Sequence, residues 1–206
     1  MNLKIWTPRY AKNRISLYIY EQFNKDKPWI APTAIQWLDE HLNKNMMGVE
    51  FGSGRSTVWY AKRLKSLISI EDHQDWFKQV NDDLKNSDID NISYLFKPSI
   101  MDSEGNIPYI ELMDSIEESS VDIIVVDGKH RDTLALKAID KLASGGYLLL
   151  DDAERYIPLK THAPYNYLNQ QSEQLPTWKE FSNVTKQWKQ LQFSSGVSDT
   201  VILIKP

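Results

Sequence analysis

Two short stretches of the sequence carry residue types able to do chemistry. The first is Glu50-Phe51-Gly52-Ser53-Gly54-Arg55-Ser56-Thr57. Met47 to Phe51 predicts a strand, and a strand running into Gly-x-Gly lets the backbone turn sharply and approach a ligand closely. Residues 55–64 read as the helix that follows, with free N–H groups at its start. Glu71 stands 19 residues after Gly52, at the end of a second predicted strand, Leu67 to Ile70. An acid of that kind in that place accepts hydrogen bonds from ribose hydroxyls. The dinucleotide fingerprint asks for a third Gly or Ala at position 57, where this chain has Thr57. The loop therefore departs from a standard nicotinamide-dinucleotide site, and a nucleoside-type ligand is the expectation.

The second stretch is Asp127-Gly128-Lys129-His130-Arg131, joined by Asp151-Asp152. Each follows an apolar run, Val121 to Val126 and Tyr147 to Leu150, and the carboxyl ends of parallel strands are where ligands bind. Asp127, Asp151 and Asp152 could together hold one hard divalent cation through oxygen ligands. His130 is the best general base by its ordinary pKa, and Lys129 is second if its surroundings lower its pKa. His41 falls on the apolar face of a helix and is expected to be a satisfied core histidine. His73 and His162 show no partner.

The elements that must position these groups alternate between strand and helix. Thr33 and Gln36 form a capping box before Ala34, Trp37, Leu38, His41 and Leu42, one face of a helix. Pro28 and Pro32 separate it from an earlier helix around 9–23. Asp72 is placed to cap a helix whose apolar face is Trp76, Phe77, Val80 and Leu84. Ile92 to Phe96 is a strand, and Pro108 opens a helix reaching about Ile116. Val121 to Val126, apolar except Asp122, suits a buried parallel strand. Leu134, Ala135, Ala138, Ile139 and Leu142 mark the next helix, with Gly145 past its end. Thr177 and Glu180 make another capping box. Trp188 to Phe193 and Thr200 to Ile204 should pair as an antiparallel hairpin around Gly196. The pattern predicts an α/β protein with a parallel sheet covered by helices on both faces. One domain is expected, with a helical cap over 1–46, a ligand-binding core over 47–152, and an insert plus hairpin over 153–206.

Glu-x-Gly-x-Gly after the first strand, an acid ending the second and Val-Val-Asp-Gly ending the fourth resemble class I S-adenosylmethionine-dependent methyltransferases. The terminal hairpin is similar too. The resemblance covers residues 46–152 and implies a Rossmann-like, seven-stranded sheet of order 3-2-1-4-5-7-6 with strand 7 antiparallel, here with an N-terminal helical extension. It implies S-adenosylmethionine as cofactor. Glu50, Gly52, Ser53 and Gly54, with Ser56 and Thr57 beside them, would line the methionine portion, Glu71 would hold the ribose, Lys97 to Ser99 would approach the adenine, and Asp127 would close the site. The family's third motif glycine falls at Ser56. Asp127, Asp151 and Asp152 are similar to the metal site of catechol-type O-methyltransferases, where Asn stands in place of Asp152. That departure, and the positive charge that Lys129, His130 and Arg131 could supply, weigh against a required Mg²⁺. Methyl transfer to a small-molecule acceptor, at oxygen, is the function the resemblance implies, with His130, Lys129 and Asp127 as the groups nearest the chemistry. A cofactor-binding protein without catalysis and a nicotinamide-dependent oxidoreductase are the alternatives. Tyr156, Tyr165, Tyr167 and Trp178 are candidates for the acceptor wall.

Composition narrows the classes further. The chain has 206 residues and no cysteine, which removes disulfides, thiolate metal sites and a cysteine nucleophile. Lys+Arg 24 against Asp+Glu 28 gives a formal charge of −4 and no basic excess for a nucleic-acid partner. The Asn-Pro-Pro-Tyr motif used on DNA bases is absent. No apolar run is long enough for a membrane helix and no leader is visible, so a cytoplasmic protein is expected. A homo-oligomer is compatible with all of this.

Overall fold

The computed structural model describes residues 6–166 and 175–206. Strands β1 (Met47–Phe51), β2 (Ser66–Glu71), β3 (Ile92–Phe96), β4 (Val121–Val126), β5 (Leu142–Leu150), β6 (Lys189–Ser194) and β7 (Asp199–Ile204) form one sheet. Its order is β3-β2-β1-β4-β5-β7-β6. β1 to β5 run parallel, and β7 runs antiparallel to both β5 and β6. The fold is the Rossmann-like arrangement the sequence implied.

Alternation along β4 shows why the sheet is buried on both faces. Ile123 and Val125 join one apolar cluster, with α2 (Pro32–His41) and α3 (Arg55–Ala61). Ile124 and Val126 point the other way, into a cluster with α5 (Pro108–Asp114), α6 (Arg131–Lys141) and α7 (Pro176–Val184). A continuous apolar run fits such a strand because both its faces leave water. α4 (Gln74–Lys85) returns the chain from β2 to β3. The N-terminal helix α1 (Pro8–Phe23) differs from the rest, since none of its residues is buried. Among the described residues no helix is long and apolar enough to cross a membrane.

Several local expectations fail for definite reasons. Neither predicted capping box forms, because Pro32 and Pro176 take the first helical turn and leave Ala31 and Leu175 as N-caps. Asp72 does not cap α4; His73 does, its Nδ1 accepting from the Trp76 N–H at 3.3 Å. Gly145 does not end α6. The helix stops at Lys141 and β5 begins at once, with Gly145 at φ +79° where the register against β4 slips between Val121 and Ile123. There its N–H donates to the Lys205 carbonyl. His41 is exposed rather than a core residue. The buried stripe of α2 is Ala34, Ile35 and Leu38, which leaves His41 stacked on Trp37 at 3.8 Å at the rim.

Candidate active site

The loop after β1 is built around a buried acid. Side chains alternate along a strand, so Glu50 points to the α3 face, where it is 0% exposed. Ser56 Oγ donates to its Oε1 at 2.6 Å, and Thr57 Oγ1 and Ser69 Oγ donate to its Oε2 at 2.7 and 2.5 Å. Burial pushes the Glu50 carboxyl up to about 7, against the three hydroxyl donors and with help from the Asp127 charge. Thr57 also accepts the Gly54 N–H at 3.0 Å. Glu50, Ser56 and Thr57 are thus turned inward and brace the loop. The Ser56 and Thr57 that break the glycine pattern are the hydroxyls that hold Glu50.

Gly52 has φ +95°, and a Cβ there would lie 2.7 Å from Gly128 N and 2.9 Å from the Asp127 carbonyl carbon. Glycine is required at this position so that the loops after β1 and β4 can meet. Gly54 is different: a Cβ there would find nothing nearer than Trp76 at 3.8 Å, so the loop leaves room at Gly54.

Glu71 ends β2 and is 5% exposed. Its Oε2 accepts the Ser53 N–H at 3.1 Å and the Ser53 hydroxyl at 2.8 Å. Its Oε1 accepts the N–H groups of Asp72 and His73 at 3.1 and 2.8 Å. Tyr94 shares the Ser53 hydroxyl at 2.7 Å. The Ser53 side chain is the partner a ligand hydroxyl can replace without disturbing backbone.

Ser99 lies across from Glu71, and with it lie both proposed bases. Ser99 Oγ donates to Asp72 at 2.6 Å, and the Lys129 ammonium pairs with the same carboxylate oxygen at 2.6 Å. Burial would raise the Asp72 carboxyl, but the bonds from Lys129 and Ser99 and the Lys129 charge hold it below its ordinary value. His130 Nε2 meets the Ser99 carbonyl at 2.9 Å, and a carbonyl only accepts, so Nε2 carries hydrogen. Lys129 and His130 are therefore committed to the β2–β3 side of the crevice. The left-handed backbone of His130, φ 52°, turns its side chain that way.

Asp127 faces the other side. Arg131 reaches its Oδ1 at 2.8 Å and also donates to three carbonyls, those of Asp127, Gly128 and Asp151. This arginine ties the ends of β4 and β5 together. Burial pushes the Asp127 carboxyl up to about 6; Arg131 pulls it down and Asp152 pushes it further up. About a third of the side chain (35%) remains open. Asp151 is buried, accepts from Thr200 Oγ1 at 2.7 Å, and is held well above its usual range by burial and by Asp127. Asp152 pairs with Arg155 at 3.1 Å.

These three acids form the floor of a cavity of about 400 Å³. Arg14, Leu17 and Glu21 of α1 make one wall, Trp29 and Ile30 another, and Ser195 and Ser198 from the β6–β7 turn close the rim. Trp29 was not singled out from the sequence. The prolines on either side, Pro28 and Pro32, are the available signal of a stiff linker that presents it. The expected aromatic wall is not built as foreseen. Trp178 is 3% exposed and stacks on Tyr156 within the core, Tyr165 lies near Arg155, and Tyr167 falls outside the described residues.

Residues 49–153, about half of the chain, match a family described as a methyltransferase domain. The chain belongs to this methyltransferase family. In fold, the methyltransferase is similar to a structure from Corynebacterium glutamicum, at TM-score 0.61 and 12% identity over 98% of this chain and 91% of that one. It is similar to a putative caffeoyl-CoA O-methyltransferase from Staphylococcus aureus, at 0.60 and 11% over 93% and 92%. A putative methyltransferase from Streptococcus mutans, solved with S-adenosylhomocysteine, aligns at 0.55 and 12% over 83% and 94%. No curated protein matches the chain in sequence.

The family implies S-adenosylmethionine. The residues fit it on two observations: the open space beside Gly54, and a guanidinium nitrogen of Arg55 that is shut from solvent and has no hydrogen-bond partner. They do not fit the divalent cation that the three aspartates left open. Among the described residues no group of three or more His, Asp or Glu side chains is arranged to hold a metal. Asp127, Asp151 and Asp152 line one cavity, but each is turned to its own partner: Arg131, Thr200 and Arg155.

Proposed function

We propose that this methyltransferase transfers a methyl group from S-adenosylmethionine to a hydroxyl of a small-molecule acceptor seated in the cavity over Asp127. When bound, the cofactor supplies the activated methyl as a sulfonium. The observation that carries the reading is the cavity itself. Its volume of about 400 Å³ suits a metabolite-sized acceptor, and it opens beside Asp127 at the strand ends where the two loops meet. Ser53, Gly54 and Glu71 would hold the methionine and ribose, and Ser99 would lie toward the adenine. Asp127 would accept the acceptor's proton. A carboxyl held near 6 is mostly ionised at neutral pH yet more basic than an ordinary aspartate, which suits a general base. Arg131 keeps Asp127 in place through Oδ1. Lys129 and His130 take supporting places on the cofactor side. The acidic balance of the chain favours a small molecule over nucleic acid.

An acceptor library screened with labelled cofactor tests the reading. Asp127→Asn is expected to keep its affinity for S-adenosylhomocysteine and to lose roughly 100-fold or more in turnover, the usual range for a general base. Full turnover in that variant would remove Asp127 from the chemistry. Cofactor binding with no transfer to any acceptor would favour a binding protein.

A further inference from the structure

Arg55 follows Gly54 directly, and its guanidinium lies over the ring of Trp29 at 4.3 Å from the centroid. A guanidinium over an aromatic face is attracted by the ring and held in place there. Its Nη1 is nevertheless shut from solvent without a hydrogen-bond partner among the described residues. Among the described residues no carboxylate lies within ion-pair distance of it, although Asp83 lines the same space. A guanidinium is always charged, and a buried donor left unmade costs about 1–3 kcal/mol, more when charged. Arg55 lines a second cavity, of about 240 Å³, together with Lys25, Trp29, Trp76, Gln79, Val80 and Asp83. Trp76 ties this cavity to the glycine loop, since its indole N–H donates to the Ser53 carbonyl at 2.7 Å. Trp29 lines both this cavity and the one over Asp127. Arg55 opens α3 one residue after Gly54, beside the loop proposed to hold the methionine portion.

We infer that Arg55, seated over Trp29, anchors the carboxylate of the cofactor's amino-acid end. The inference rests on the proposed use of S-adenosylmethionine. That ligand carries a single anionic group, its carboxylate, and a stacked guanidinium with a free N–H matches a carboxylate in charge and geometry. Arg55 is a binding residue here and takes no part in moving the methyl group or the proton. The pairing also gives Trp29 a double duty, supporting Arg55 with one face and bounding the acceptor cavity with its edge of the linker.

Calorimetry separates the possibilities without any turnover. Two ligands are compared: S-adenosylhomocysteine, and 5′-methylthioadenosine, which lacks the amino-acid end. Arg55→Gln should weaken S-adenosylhomocysteine roughly ten- to 100-fold, the size of hydrogen bonds to a charged group, and leave methylthioadenosine unchanged. Arg55→Lys, which keeps the charge and loses the fork, should fall between. On the unaltered protein, decarboxylated S-adenosylhomocysteine should lose the same factor as Arg55→Gln does, an arm that needs no folded variant. Equal losses for both ligands, or an unchanged affinity for S-adenosylhomocysteine, would overturn the assignment and leave the cofactor reading standing. If the unaltered protein binds neither nucleoside, the cofactor reading falls and takes the assignment with it.

Discussion

Glu50→Gln isolates what it costs to hold a charge beneath the glycine loop. Glu50 is fully buried, and three hydroxyls point at it. Its carboxyl titrates near 7 in the folded protein against 4.5 ordinarily. At about 1.4 kcal/mol per pH unit, the ionised form is disfavoured by about 3 kcal/mol. The sign follows from proton counting. Below pH 4.5 both folded and unfolded chains are protonated at this site. Between 4.5 and about 7 the unfolded chain releases its proton first, so the folded chain holds more protons and stability falls as pH rises. Above 7 both are ionised and the loss is complete. A glutamine cannot titrate, and Ser56, Thr57 and Ser69 can each rotate to accept as well as donate. Relative to the unaltered protein, the variant should therefore gain about 3 kcal/mol between pH 4.5 and pH 8. Urea unfolding at both pH values measures it. Asp127, Asp151 and Glu154 are raised as well, but they are common to both proteins and drop out of the difference. S-adenosylhomocysteine affinity should be little changed, because the Glu50 carboxylate is fully buried and already bound by three hydroxyls. Parallel stability curves for the two proteins would refute the account of Glu50 as a buried acid held against its charge.

The two loop glycines should behave differently. Gly52→Ala meets the backbone of Asp127 and Gly128 and should lower stability by about 2 kcal/mol or more, whereas Gly54→Ala should melt like the unaltered protein and bind S-adenosylhomocysteine more weakly; calorimetry and thermal melts that fail to separate them would refute this. His130→Ala should keep kcat within about threefold, far from the loss expected of a missing base, and Lys129→Ala should raise the KM for the cofactor through its broken pair with Asp72; a collapse of kcat alone in either would restore that residue to the acceptor side. Turnover should withstand EDTA, since Asp127, Asp151 and Asp152 are each committed to a protein partner; activity lost to the chelator and restored by Mg²⁺ would show that they share an ion.

The sheet was legible because its strands declare themselves. Val121 to Val126 can only be buried on two faces, and the close spacing of 188–193 and 200–204 leaves no room for a crossover helix. The loop proposed for the cofactor was legible for a similar reason: Gly52, Ser53 and Glu71 are placed by strand ends, so spacing along the chain becomes position in space. The acceptor side was not. Its walls come from α1, the Trp29 linker and the β6–β7 turn, which meet only through tertiary packing. The direction of a side chain on a left-handed residue such as His130 is also invisible in sequence, and so the contacts of His130 with Ser99 and of Lys129 with Asp72 were not foreseen. The bonds of Glu50 were not legible either: strand parity turns it to the α3 side, where Ser56, Thr57 and Ser69 hold it.

α1 gives three side chains to the proposed acceptor cavity and no fully buried residue to the core, against which only Tyr20 packs. Recognition and folding are thus written in separate parts of the chain. If the cavity over Asp127 seats the acceptor as proposed, a change at Arg14, Leu17 or Glu21 should alter what it admits at little cost in stability, so substrate range can drift through this one helix. The same separation offers a route to redesign: exchanging residues 8–23 for the equivalent helix of another protein of this fold should redirect the acceptor while the cofactor machinery is inherited intact.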